Sequence, residues 1–162
     1  MRYLMRQKIL CLGDDFTVKD SDGNDLYYID GHVLAIGDKL SFQDMHGHEL
    51  ARIRQKLLAI GKTYTIERND RTTTVHKHLF TPFHCTFSVD LPGNNDLEAR
   101  GNLLDMEYEF VDSQGQTAAT VSKRWFSIAD TYGVETSPGW DDVLILAAAV
   151  VIDLCCHADR KE

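Results

Sequence analysis

Residues 143–152 read VLILAAAVVI, ten consecutive apolar positions with no polar residue among them. A helix built from this run has no polar stripe, so every side of it must be covered. Start signals precede it: Ser137 as N-cap, Pro138 as first helical residue, and Asp141 and Asp142 at the positive end of the dipole. They predict a helix over about 138–157, with Arg160 and Lys161 after it or in its fraying last turn. Ten helical residues span about 15 Å, against roughly 30 Å of bilayer hydrocarbon. Asp153 then interrupts the run, so a membrane span is not expected. Something in the rest of the chain has to enclose this helix.

The rest reads as strands. Residues 16–23 (FTVKDSDG), 40–47 (LSFQDMHG) and 108–115 (YEFVDSQG) each alternate apolar and polar positions and end in Asp-x-x-Gly. Each continues into a second apolar run, through Leu26 and Ile29, Leu50 and Ile53, or Ala118 and Val121. Alternation puts one face of a strand in the core. Asp at the first turn position and Gly at the fourth suit a type I turn, so these are three β-hairpins. Asn69-Asp70 separates the runs at Tyr64 and Thr72, and Pro82 and Pro92-Gly93 punctuate the stretch around His84 to Val89. The runs before Pro138 make roughly a dozen strands. Parallel pairing would need crossover helices, for which there is no room, so the sheet is antiparallel. About eight strands close into a barrel that side chains alone can fill, and twelve leave a void. One apolar helix and one oversized barrel complete each other. The expected fold is mainly β, an antiparallel closed barrel of about twelve strands (residues 1–137) around a central hydrophobic C-terminal helix, one domain over 1–162.

Composition narrows the function classes. The 162 residues are 43% hydrophobic and 26% charged, and the net charge is -8. Such an acidic chain is a poor partner for nucleic acid, whose non-specific binding rests on phosphate neutralisation, and for broad adhesion to an anionic membrane. The N-terminal stretch lacks the continuous apolar segment and cleavage site of a secretory signal. Cys11, Cys85, Cys155 and Cys156 show no C-x-x-C spacing and read as buried free thiols of a reducing, cytoplasmic setting.

The three Asp-x-x-Gly hairpins occur in order with Arg54-Gln55-Lys56, Ser122-Lys123-Arg124-Trp125, residues 130–135 (DTYGVE) and the apolar run into Ile152-Asp153. In that order and spacing the chain resembles the LURP-one-related family over nearly its whole length. That family is similar to the tubby C-terminal domain and the phospholipid scramblases. The resemblance implies their shared fold, a twelve-stranded barrel around a hydrophobic helix, and the compact chain with short turns looks like the small bacterial members. Tubby domains bind phosphoinositide head groups through surface cations, but no position here matches that lipid site residue by residue. Fold alone does not fix function.

Three constellations could carry chemistry. Arg52, Arg54 and Lys56 alternate on one strand and share a face, while Ile53, Gln55 and Leu57 point the other way. With Lys62 nearby, and with Lys123 and Arg124 in the similar third hairpin, these cations suit an anionic head group. They equally suit a solvated outer face balanced by Glu49, Glu67 and Glu109. His76 and His78 share a strand face, and His46 and His48 flank Gly47, yet no carboxylate or thiolate stands at metal-ligand spacing, so no metal or other cofactor is expected. No nucleophile elbow, phosphate loop or dinucleotide fingerprint occurs. Asp14-Asp15 and His84-Cys85 are sequence neighbours whose side chains diverge on a strand, and capping accounts for Asp141 and Asp142, so no catalytic residue is assigned.

The expectation is therefore a non-enzymatic binding or scaffold module, meeting a membrane surface or an unidentified protein partner through its outer barrel face. The alternative is an enzyme or small-ligand carrier with a pocket at a barrel mouth. A buried Asp153 is costly unless partnered, and it is expected to act in stability rather than in binding.

Overall fold

A computed structural model describes residues 1–10, 13–31, 39–81, 84–93, 95–125 and 131–160. In chain order the elements are β1 (Arg2–Leu10), β2 (Gly13–Lys19), β3 (Asp25–Asp30), β4 (Lys39–Asp44), β5 (Glu49–Gln55), β6 (Thr63–Arg68) and β7 (Arg71–Thr81). They continue with β8 (His84–Asp90), β9 (Leu97–Asn102), β10 (Glu107–Asp112), β11 (Thr117–Ser122), β12 (Thr131–Thr136) and α1 (Asp142–Arg160). Each strand pairs antiparallel with its sequence neighbours, and β12 returns to β1 with Tyr132 opposite Met5. The sheet is the closed twelve-stranded barrel that the sequence predicts.

The three Asp-x-x-Gly motifs form one repeated turn. Asp20 Oδ1 accepts from the amides of Asp22 (2.9 Å) and Asn24 (2.8 Å). Asp44 Oδ1 accepts from His46 (2.8 Å) and His48 (2.9 Å), and Asp112 Oδ1 from Gln114 and Gln116 (both 2.9 Å). In each turn the glycine amide donates back to the aspartate carbonyl, at 3.2, 3.1 and 3.0 Å. Gly23, Gly47 and Gly115 take φ of 87°, 82° and 81°, a left-handed conformation that glycine reaches without Cβ strain. The Asp20 carboxyl is held below its ordinary value first by the Asn24 side-chain amide, which donates to its Oδ2 at 2.9 Å, and the Asp44 carboxyl first by the His48 backbone amide.

Inward side chains of the strands, among them Phe16, Phe42, Phe87 and Phe110, surround α1, and residues 145–153 of the helix are all buried. The helix backbone comes closest to β5 and β6, then β12. Its start differs from the sequence expectation. Ser137 does not cap it, because its hydroxyl donates to the Thr117 carbonyl at 2.7 Å, and Pro138-Gly139 forms a turn that carries the chain over the rim, with Gly139 at φ 91°. Asp141 caps instead: its carboxylate accepts from the Leu144 amide (3.2 Å) and its carbonyl from Ile145 (3.0 Å). Asp142, in the first turn, accepts the Tyr3 hydroxyl.

Towards the other end of the helix the interior turns polar. Asp153 is 2% exposed, and the hydroxyls of Tyr108 and Tyr132 have no hydrogen-bond partner among the described residues. Burial first, and then the charge of Asp153, push both phenols well above their ordinary value. Cys155 and Cys156, which follow on the helix, are buried and form no disulfide. Cys11 lies outside the described residues, as do the side chains of His84 and Cys85.

Candidate functional site

Because strands alternate in direction, turns alternate between two rims. The near rim receives α1 and carries the β2–β3, β4–β5, β6–β7, β8–β9 and β10–β11 turns. The far rim carries the β5–β6 and β9–β10 turns and the Lys123-Arg124 corner.

On β5, Ala51 and Ile53 are buried inward, while Arg52, Arg54 and, just past the strand end, Lys56 lie on the outer face. Glu49 holds Arg52 at 2.6 Å, and Glu67 on β6 lies 4.0 Å from Arg54. These are two of the three balancing carboxylates expected. Arg54 Nε is buried against the sheet with no hydrogen-bond partner, and Lys56 has no carboxylate within pairing distance among the described residues. Leu57 departs from the expected alternation. The strand ends at Gln55, so Leu57 is not inward but lies in an exposed turn with Leu58 and Ile60.

Lys123 and Arg124 do not join this row. They follow β11, six strand positions from β5 in either direction around the ring of twelve. Their corner is organised by Glu107, not Glu109: Glu107 Oε1 accepts from the Lys123 (2.9 Å) and Arg124 (3.0 Å) amides and lies 3.9 Å from the Arg124 guanidinium. Alike hairpins in sequence sit on opposite walls of a barrel, a separation that no local pattern encodes.

The near rim holds a cleft of about 570 Å³ beside the start of α1. Trp140, Leu91, Pro92 and Leu144 supply its apolar wall, and Arg68 and Arg71 reach it from the β6–β7 turn. Arg68 is fixed, its Nε donating to Asp141 at 2.7 Å and its Nη1 to the Leu50 carbonyl at 2.9 Å. Arg71 is exposed with no carboxylate in reach among the described residues. The sequence offered no signal for this cleft, because its parts come from the β6–β7 turn, the β8–β9 loop and the helix start.

A sequence model of the LURP-one-related family matches residues 1–153. The chain belongs to the LURP-one-related family. No curated protein matches it. Among solved structures, an Arabidopsis thaliana protein superposes with a TM-score of 0.69 at 18% identity, covering 95% of this chain and 91% of that one. That likeness carries the tubby-like barrel fold and nothing further. The family is not a known enzyme family.

The side chain of Asp14 lies outside the described residues, and the other three paired carboxylates have structural work. Asp15 accepts the Tyr28 hydroxyl at 2.6 Å and the Gly31 amide at 3.0 Å, while Asp141 and Asp142 start α1. Carboxylates do meet two histidines, while His78 Nε2 pairs with Ser88 Oγ at 2.9 Å: Asp44 Oδ2 lies 3.0 Å from His48 Nδ1 within one turn, and Asp90 Oδ2 lies 3.2 Å from His76 Nε2 across β7 and β8. Spacing along one strand could not reveal the latter contact. Among the described residues no group of three metal-ligating side chains converges. No described helix is long and apolar enough to cross a membrane.

Proposed function

We propose that this chain is a non-enzymatic binding module that takes an anionic lipid head group on the outer face of β5, through Arg52, Arg54 and Lys56. The barrel bore is occupied by α1, so a partner is met from outside. The observation that carries the reading is the Arg54 guanidinium, its side chain 42% exposed and its Nη2 no closer than 4.0 Å to Glu67. A phosphate oxygen at the exposed Nη edge of that guanidinium makes charge-assisted hydrogen bonds that Glu67 leaves long, and Lys56 adds a second charge. Lys123 and Arg124 form a separate corner with its own carboxylate and are not part of this contact. The buried cysteines Cys155 and Cys156, which form no disulfide, support a reducing, cytoplasmic setting.

Co-sedimentation tests this. Wild type pellets with phosphatidylcholine vesicles that also carry phosphatidylserine, does so less as salt rises, and stays in solution with phosphatidylcholine alone. Arg54→Gln with Lys56→Gln weakens pelleting several-fold. Equal pelleting with both vesicle types overturns the proposal.

The near-rim cleft favours a second reading, a small-anion site. Its volume of about 570 Å³ falls in the range of small-molecule clefts, and it sets an indole beside the unpaired Arg71. Benzoate should raise the melting temperature of wild type and not of Arg71→Ala; equal shifts in both sink this reading.

A further inference from the structure

The β5–β6 turn, residues 56–62 (KLLAIGK), contains no acidic residue in a chain of net charge -8. Its base is firmly made. The Lys56 amide donates to the Thr63 carbonyl at 2.8 Å, the Lys77 amide to the Lys62 carbonyl at 3.0 Å, and Gly61 turns the chain at φ 82°. Its tip is bare: Leu57, Leu58 and Ile60 are 56%, 102% and 105% exposed. They are three of the six exposed large hydrophobic residues among those described, and the other three are scattered over other turns and the N-terminus. The fold does not use these side chains. An anchored turn that holds three branched aliphatic groups in water is a surface awaiting an apolar phase.

The charges around the tip select that phase. Lys56 and Lys62 flank it on both sides, and Arg54 lies two residues before Lys56 on the same face of β5. A second copy of this chain would bring the same cations against each other. The headgroup layer of an anionic bilayer instead offers acyl chains for the tip and phosphates for the collar, with lysine stems spanning the boundary.

We infer that the β5–β6 turn inserts Leu57, Leu58 and Ile60 into the headgroup–acyl boundary of an anionic membrane, with Lys56 and Lys62 at phosphate level. This deepens the head-group reading of β5 and rests on it. The barrel then sits with its far rim towards the membrane, and the near-rim cleft faces away from it.

The experiment uses the full chain, with phosphatidylcholine vesicles, with and without phosphatidylserine, as probes. Leu58→Asn with Ile60→Asn keeps every cation, leaves the melting temperature unchanged because both sites are exposed, and lowers vesicle partitioning by about tenfold or more. Leu58→Trp adds an emission component that shifts to the blue on anionic vesicles and is quenched by lipids brominated on their acyl chains. If the double variant pellets like wild type and the new tryptophan is not quenched, insertion is overturned while the head-group reading stands. If wild type fails to pellet with anionic vesicles, both readings fall. If the double variant loses self-association on gel filtration while pelleting is unchanged, the turn is a protein contact and the inference is overturned.

Discussion

Leu146→Ala removes three carbon atoms from a side chain that is 0% exposed, in the middle of α1 and at the centre of the barrel. At about 0.8 kcal/mol per buried methylene the lost transfer free energy is roughly 2.4 kcal/mol. Ala147, Ala148 and Ala149 follow it and strands surround it, so the site collapses little, and a residual cavity adds about 24 cal/mol per Å³. The sum is roughly 3 kcal/mol or slightly more, which lowers the melting temperature by about 6–12 °C in a domain of this size. Two other leucines calibrate the result. Leu144 is partly buried beside the near-rim cleft, and its alanine variant should lose clearly less. Leu58 is 102% exposed, and Leu58→Ala should leave stability unchanged within about 0.5 kcal/mol. Urea unfolding followed by circular dichroism gives all three values from midpoints at constant slope. A Leu146→Ala loss no larger than that of Leu58→Ala refutes the enclosed helix, and with it the reason given for a twelve-stranded barrel.

Gly101→Ala should cost about 2–3 kcal/mol in the same assay, because at φ 132° an added Cβ would lie 2.6 Å from the Glu107 carbonyl oxygen and 2.8 Å from Tyr108 Cα. A loss below that of Gly23→Ala, whose Cβ meets nothing within 4 Å, contradicts that geometry. Asp153→Asn should lower stability by about 1–3 kcal/mol while vesicle pelleting is unchanged, since the carboxylate sits inside the barrel and away from β5's outer face; a change in pelleting at constant fold would contradict a purely structural role. The Asp20 and Asp44 carboxyls lie below their ordinary 3.8 in the folded chain. Their stabilisation is therefore complete above that value and is lost as pH falls through the lowered folded values. Asp20→Ala with Asp44→Ala should flatten the acid limb of a stability–pH profile, and an unchanged limb would show that these turns do not contribute to it.

Local chemistry was written plainly in the chain. Alternation and Asp-x-x-Gly fix hairpins because pleat and turn depend on residues within a few positions of each other. The run at 143–152 had to be enclosed because no polar stripe exists along it, and closure around it follows from strand number alone. The helix start was misread at Ser137, since the choice between capping α1 and donating to Thr117 depends on a strand twenty residues away. Leu57 was misread because alternation holds only while a strand lasts, and β5 ends at Gln55. The candidate site divides the same way. Arg52 and Arg54 share a face by strand periodicity, which the sequence alone determines, and Lys56 follows them just past the strand end. That Lys123 and Arg124 stand on the opposite wall, that Glu107 holds their corner, and that Leu57, Leu58 and Ile60 crown the cationic row were decided only by tertiary structure. Barrel closure sets which strands neighbour each other and where each turn meets solvent, and those are distances no local pattern carries.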